Sequence, residues 1–352
     1  MLTWGDPNFG GDCSTVQDQL QKVQQVEATG AAFAAILADG SVVTWGDPLL
    51  GGDCSAVQDQ LRDVQQIQAT NGAFAAVLGD GSVVAWGSPS RGGDCSAVQG
   101  QLRNVQQVQG TNFGAFAAIL ANGSIVTWGD PDDGGDCSAV QDQLRNVRQI
   151  QATDGAFAAI LGDGSVVAWG DPDRGSDCSA VQHQLRNVEQ IHATQASFAA
   201  ILADGSVVTW GRPSVGGCCS AVQDQLRYVQ QIQATRFAFA AILADGSVTA
   251  WGYKPFGGAC VAVQDQLRNV QQIQGTDCAF AAILADGSVV AWGAPSHGGD
   301  CSAVQDQLRK VQQIHGSRAA FAAVLADGSV VAWGDADFAG DCSAVQDQLQ
   351  YL

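Results

Sequence analysis

Residues 32–46 read Ala32-Phe33-Ala34-Ala35-Ile36-Leu37-Ala38-Asp39-Gly40-Ser41-Val42-Val43-Thr44-Trp45-Gly46, and the stretch returns almost unchanged to the C-terminus. Its phenylalanine recurs at Phe74, Phe116, Phe157, Phe198, Phe239, Phe280 and Phe321. Asp-Gly, or Asn122-Gly123 in one copy, lies between an apolar run and a β-branched run. Both residue types tolerate positive φ, so each copy is expected to be a β-hairpin closed by a two-residue type I′ turn. A lone hairpin is marginal in water, and the units must therefore stack to bury their faces.

Working outward, all nine tryptophans lie in Trp-Gly pairs: Trp4, Trp45, Trp86, Trp128, Trp169, Trp210, Trp251, Trp292 and Trp333. They are 41 residues apart, except for one interval of 42 that contains Asn112-Phe113-Gly114. Self-similarity of this strength across 352 residues predicts one repeat domain. Its units run 13–53, 54–94, 95–136, 137–177, 178–218, 219–259, 260–300 and 301–341, with a partial unit 1–12 and a terminal helix 342–352.

Between hairpins, Ser55-Ala56-Val57-Gln58 fits a capping box, and Val57, Leu61 and Val64 follow at i, i+4 and i+7. A helix of two or three turns is expected there, closed by Arg62 and its counterparts Arg103, Arg145, Arg186, Arg227, Arg268 and Arg309. A cation in the last turn would offset the helix dipole. Val64 to Ala69 then reads as a first strand, Phe74 to Leu78 as a second and Ser82 to Trp86 as a third. The fold class expected is mainly β, a propeller-like array of about eight 41-residue units, each a three-stranded meander plus a short helix. An open superhelical array is the alternative. Ala75 and Ala76 leave room for a neighbouring element, and burying each Phe is worth about 1.5–3 kcal/mol.

One repeat carries a resemblance. Val147-Arg148-Gln149-Ile150, then Phe157-Ala158-Ala159-Ile160-Leu161-Gly162-Asp163-Gly164-Ser165-Val166-Val167-Ala168-Trp169-Gly170, resembles the repeat of the regulator of chromosome condensation family. That resemblance touches every repeat and implies a β-propeller, most often of seven blades. The family includes an exchange factor for the small GTPase Ran, parts of giant HECT-type ubiquitin ligases and a plant UV-B photoreceptor. This chain departs from the pattern by placing Phe where the family usually has His. It also replaces the glycine-rich segment after Trp-Gly with Gly-Gly-Asp-Cys-Ser-Ala-Val-Gln-Asp-Gln-Leu. Exchange-factor residues therefore have no counterparts to map onto. No segment resembles a HECT catalytic domain, and the photoreceptor's clustered tryptophans are not recognisable.

Sixteen basic against 35 acidic side chains give a net charge of −19, which opposes attraction to phosphate backbones and favours solubility. Nucleic acid and membrane are thus disfavoured partners. No apolar run approaches a spanning helix, and Met1-Leu2-Thr3-Trp4 lacks a secretory signal pattern, so a soluble intracellular location is expected. Nine of eleven cysteines share one repeat position, Cys13, Cys54, Cys95, Cys137, Cys178, Cys219, Cys260, Cys301 and Cys342. Stacked layers lie about 10 Å apart, too far for a disulfide. They read as reduced, buried packing groups, with Cys218 and Cys278 as strays.

Gly-Asp-Cys-Ser at a helix start could present a nucleophile, but the four histidines, His183, His192, His297 and His315, occupy three different repeat positions and cannot serve nine sites. Asp136 and its counterparts read as turn caps. The cluster Asp130, Asp132, Asp133 and Asp136 lacks calcium-loop spacing. No enzyme activity, cofactor or metal site is expected.

The copies disagree in two windows. One follows Trp-Gly, as at Leu49-Leu50 or Ser90-Arg91; the other separates the first two strands, as at Asn71-Gly72. In an antiparallel meander both emerge at the same end, opposite the Asp-Gly turn. A face that varies over a constant scaffold suits a protein-binding repeat array. Phe9, Arg91, Asp132, Asp133, Asp173, Arg174, Arg236, Phe237, Phe256, His297, Arg318 and Phe338 are the candidate contact residues. The function expected is a non-enzymatic interaction scaffold. The alternatives are an exchange-factor or ubiquitin-ligase-associated module, as the resemblance implies, and a structural subunit of a larger assembly.

Overall fold

The structure, a computed structural model, describes residues 10–338 and 340. Phe9, Trp4 and the helix expected over 342–352 lie outside the described residues. The chain divides into two compact units, residues 1–180 and 181–352.

Each unit carries four three-stranded antiparallel sheets, hydrogen-bonded in sequence order. In the second sheet the strands are Val64–Ala69, Ala73–Leu78 and Val83–Gly87. The fold is mainly β, as the hairpin signals predict. Within a unit, consecutive sheets stack face to face. Ala32, Ala34 and Ile36 of the first sheet meet Phe74, Ala76, Val84 and Trp86 of the second. Ala73, Ala75 and Val77 of the second in turn meet Phe116, Ala118 and Trp128 of the third. The second unit repeats this, with Ala238, Ala240 and Ile242 against Phe280, Ala282 and Trp292. The middle strand therefore has both faces covered, which explains why it is apolar throughout, Ser197 excepted, rather than alternating. Its alanines leave the space that the next sheet's phenylalanine fills.

Two bonds repeat between neighbouring sheets. The indole N–H of Trp86, buried and stacked on Phe74 with ring centroids 5.2 Å apart, donates to the carbonyl of Gly51 from the preceding repeat at 3.1 Å. Trp45, Trp128, Trp169, Trp251, Trp292 and Trp333 do the same. At the opposite edge, the Asp-Gly turn accepts a backbone bond from the next repeat's first strand. Val64 N donates to Gly40 O, Val105 N to Gly81 O and Val147 N to Gly123 O, each at 2.9 Å.

Three local expectations are corrected. The hairpin turn is not a two-residue type I′ turn. Leu37 N donates to Ser41 O and Gly40 N to Leu37 O, which encloses three residues, Ala38-Asp39-Gly40, and only the glycine has positive φ, +77°. This is a type I turn with a glycine bulge. Asp39 Oδ1 accepts from both the amide and the hydroxyl of Ser41, a role that requires an oxygen side chain but not a left-handed backbone.

The helix in each repeat is replaced by successive tight turns, with single 3-10 turns such as Gln58–Gln60. The capping box does not form, because its glutamine is engaged elsewhere: Cys54 Sγ–H donates to Gln58 Oε1, and Gln58 Nε2 donates to Val42 O. The amide of Ser55 is satisfied by Asp53 Oδ1 instead. The helical spacing of Val57, Leu61 and Val64 has a different cause. Asp63, at φ +54°, turns the chain sharply, and a bulge between Val64 and Gln66 lets both Val64 and Ile67 point inward.

With no helix to close, the arginines act differently. Five of the seven, Arg62, Arg145, Arg227, Arg268 and Arg309, form exposed pairs with an aspartate three residues back, Arg62 with Asp59 at 3.7 Å and Arg309 with Asp306 at 3.4 Å. Such exposed pairs contribute little to stability. The described repeat-position cysteines are all buried and reduced, and burial pushes most of these thiols up, Cys54 and Cys301 among them. Among the described residues no helix is long and apolar enough to cross a membrane.

Candidate interaction surface

Among the described residues the segment after Trp-Gly folds back as a short turn, a single 3-10 turn in every copy but Pro131–Gly135, for a reason written in its residues. Asp47 Oδ1 accepts from Leu49 N, Pro48 opens the turn, and Gly51, at φ +103°, ends it. Asp130, Asp171 and Asp335 cap their turns in the same way. The turn brings the first variable window against the second. Thr70, just after the first strand, accepts from Gly72 N and Ala73 N and donates to Arg91 O at 2.9 Å. Thr29, Thr153 and Thr276 make the same bond to Leu50, Arg174 and His297 carbonyls, and Ser317 makes it to Phe338. Comparison of the copies alone could have found this threonine, which holds its place in seven repeats and yields to serine in the eighth.

The second windows are also joined to one another. Gly30 N donates to Asn71 O, Asn71 N to Asn112 O and Phe113 N to Asp154 O in the first unit. Gln195 N donates to Arg236 O, Arg236 N to Asp277 O and Asp277 N to Arg318 O in the second. Both windows therefore adjoin at one end of the meanders, with their backbones fixed by bonds that do not depend on side chains.

Side chains on the first unit's loops are predominantly acidic. Arg174 pairs with buried Asp154 at 3.3 Å and with Asp171 at 3.7 Å, and its guanidinium lies 4.6 Å from the Phe113 ring centroid. Half-buried Asp133 sits beside this group. Burial, then the charges of Asp130 and Asp171, push its carboxyl up to about 6, against the pull of Arg174. Asp132 and Asp173 face solvent. A cleft of about 550 Å³ is lined by Asp132, Asp133, Asp136 and Asp171. Asp136 Oδ1 is engaged by Ser138 N, as a turn cap. Arg91 lies over Gly72 and Gly114, where a Cβ on either would come within 2.6 Å of it.

The second unit's loops carry aromatics and cations. Phe237 and Phe256 meet edge to face at 5.0 Å, and Tyr253 meets Phe256 at the same distance. Asp277 holds Arg236 at 3.9 Å and Arg318 at 3.5 Å, and Arg318 reaches to 5.6 Å from the Phe338 ring. Half-buried His297 shares a hydrogen bond with Ser296 Oγ at 3.0 Å. Burial, with Asp277 beside it, pushes the Cys278 thiol up to about 11. The structure thus forms two groups, Phe237 and Phe256 with Tyr253, and Arg236, Arg318 and Phe338 with Asp277, and the candidate residues omit Tyr253 and Asp277. Similarly, Asp154 and Phe113 hold Arg174. These partners occupy variable positions and leave no recurring mark in the sequence.

Stacked three-stranded meanders with one variable loop end define a mainly β repeat protein. No family model and no curated protein matches the sequence. Among solved structures, the chain is similar to the CRINKLY WD40 ectodomain of the Arabidopsis thaliana receptor kinase ACR4, at 15% identity over 77% of this chain and 97% of that one, with a TM-score of 0.43. Prp20p from Saccharomyces cerevisiae, the yeast RCC1, is similar at 15% identity over 83% of this chain and 80% of that one, with a TM-score of 0.44. The computationally designed Ika8 protein is similar at 15% identity over 95% and 98%, with a TM-score of 0.40. These neighbours include the regulator of chromosome condensation to which the repeat pattern bears its resemblance.

Proposed function

We propose that the chain is a non-enzymatic repeat scaffold that docks protein partners through the variable loop end of its meanders. The observation that carries this reading is the constant frame beneath the variation. The bond from Thr70 Oγ1 to Arg91 O has counterparts in four other repeats, where the acceptor residue is Leu50, Arg174, His297 or Phe338. Side chains can therefore differ from repeat to repeat without altering the loop backbone, which is how repeat arrays diversify a binding surface. A net charge of −19 favours protein over nucleic acid as the partner class. The test compares partner recovery by the wild type with that by a variant whose two windows are all reset to the commonest copy. Loss of recovery with an unchanged circular dichroism spectrum is expected; equal recovery would overturn the proposal.

A further inference from the structure

Two sheets keep open the faces that their counterparts cover. In the first strands of later sheets Ile67, Val108, Ile150, Ile232, Ile273 and Ile314 are at most 1% exposed, buried in the interface with the preceding sheet. Val26 holds that place in the first sheet and is 38% exposed. Beside it Val23 and Phe33 are half-buried, where Val64 and Phe74 are buried. The eighth sheet, Val311–Gly316, Ala320–Leu325 and Val330–Gly334, is open on its other face. Its Ala322, Val324, Val330 and Ala332 are half-buried, whereas Ala281, Ile283, Val289 and Ala291 of the seventh are buried beneath Phe321 and Trp333. Repeat arrays are kept soluble by polar outer faces at their end repeats, and neither of these faces is polar.

The turn of the eighth sheet is open too. A Cβ on Gly40, Gly81 or Gly287 would stand 2.8 Å from the Cα of Asp63, Asn104 or Lys310 in the next repeat; among the described residues nothing stands within 4 Å of one on Gly328. The open faces are the two halves of the contact that joins consecutive sheets within a unit, one bearing the phenylalanine and the other the alanines that make room for it.

We infer that copies of this chain join head to tail, the first sheet of one copy seated on the eighth sheet of another. Phe33 and Val26 would fill the space over Ala322 and Val324. Val23 N would donate to Gly328 O as Val64 N does to Gly40 O, and Arg318 N to Gly30 O as Asp277 N does to Arg318 O. First strands of neighbouring repeats lie side by side at equal positions, Gly110 against Ala69 O and Gly275 against Ala234 O. Glu27 would therefore adjoin His315, a carboxylate beside an imidazole, at a position where five of the eight copies have glutamine. Lys22, the counterpart of Asp63, would face the Asp327-Gly328 turn. These pairs fix the register, while burial of the apolar faces supplies the affinity. Repulsion between two copies of charge −19 is screened over about 8 Å at physiological ionic strength.

The junction is weaker than an interior contact. Residues 342–349 repeat the sequence of residues 301–308, and the incoming copy brings the same kind of segment in residues 13–20, whose Cys13 and Leu20 are buried on their own sheet. A place that holds one such segment between consecutive sheets would receive two, so residues 342–349 have to yield.

This contact is heterologous, so blocking opposite halves on two copies leaves one productive junction between them. The full-length protein is followed by sedimentation equilibrium as wild type, Val26→Asp, Ala322→Glu and Val261→Asp, with a circular dichroism melt to verify each fold. Val26 and Ala322 lie on the open faces; Val261, 82% exposed, lies on neither. Between about 1 and 100 µM the average mass of the wild type should rise above one chain, and Val261→Asp should follow it. Val26→Asp and Ala322→Glu should each stay at one chain, and their equimolar mixture should reach two chains and no more. A wild type of one chain throughout, single variants that associate as the wild type does, or a mixture that behaves as its components do apart would each overturn the inference. The loop-end reading survives all three, because the variable windows are unchanged.

Discussion

At the residue scale, the repeat makes the same demand eight times and the copies meet it unequally. The position before each first strand has φ between +53° and +57°, held by Asn104, Asn146, Asn187, Asn269 and Asp63, but also by Lys22, Lys310 and Tyr228. A residue without a short polar side chain adopts this conformation at a cost of about 1–2 kcal/mol. Tyr228 is 72% exposed, so little packing is lost on replacing it. Tyr228→Asn should therefore stabilise the chain by about 1 kcal/mol, read as a higher denaturant midpoint with an unchanged slope. Glycine 51 is the opposite case. At φ +103°, its Cβ would stand 2.6 Å from Phe74 Cδ2, beneath the carbonyl that receives the Trp86 indole. Gly51→Ala should cost about 2–4 kcal/mol from backbone strain and overpacking combined. Gly100→Ala, with nothing within 4 Å, should change stability by about 0.5 kcal/mol or less in the same titration. In the sequence Gly51 recurs, as at Gly92, Gly134 and Gly175, whereas Gly100 stands where most copies have Asp; the structure supplies the cause, the aromatic pair contributed by the following repeat.

At the element scale, the strands were legible and the turns were not, for one physical reason. Strands declare themselves through side chains, as the all-apolar Ala73–Leu78 does, whereas turns are decided by which backbone groups a polar side chain reaches first. Asp39 looks the same in either hairpin turn, and Gln58 looks like a capping residue until Cys54 and the Val42 carbonyl claim it. Divergence between copies marks the candidate loops, Asp154 and Asp277 included, but not that these two carboxylates order the arginines, because that pairing occurs in no fixed repeat position. The loop around Asp133 yields a pH prediction. Its carboxyl titrates at about 6 in the fold, above the ordinary 3.8, so the folded state binds the proton more tightly than the unfolded chain. Stability from this group is fully present below about pH 4 and declines until about pH 6, beyond which it is constant. Asp133→Asn should melt at a higher temperature than the wild type at pH 7.5, and the difference should close by pH 4. Caps such as Asp163 have lowered values, and their contribution fades in strong acid in both proteins, so it cancels from the comparison.

At the scale of the whole molecule, the apolar stacking that the sequence implies is joined by a hydrogen-bond ladder that it conceals, because amide-to-carbonyl bonds between loops require no particular residue. Each sheet in a unit is tied to the next by three kinds of contact: the Phe–Trp pair on the alanine face, the valine amide to the Asp-Gly turn, and the loop ladder. Stability of this form is nearest-neighbour, a sum of intrinsic repeat and interface terms. Excision of residues 54–94 tests it within the first unit, since joining Asp53 to Cys95 rebuilds every contact from existing parts. Gly51 O would receive the Trp128 indole in place of Gly92 O, Gly40 O would receive Val105 N in place of Gly81 O, and Ala34 would face Phe116. The shortened chain should keep its circular dichroism per residue and unfold in one cooperative step at a modestly lower midpoint. Wholesale loss of β structure, with each tryptophan exposed to quencher, would mean that the sheets are stabilised by something other than the contacts between neighbours.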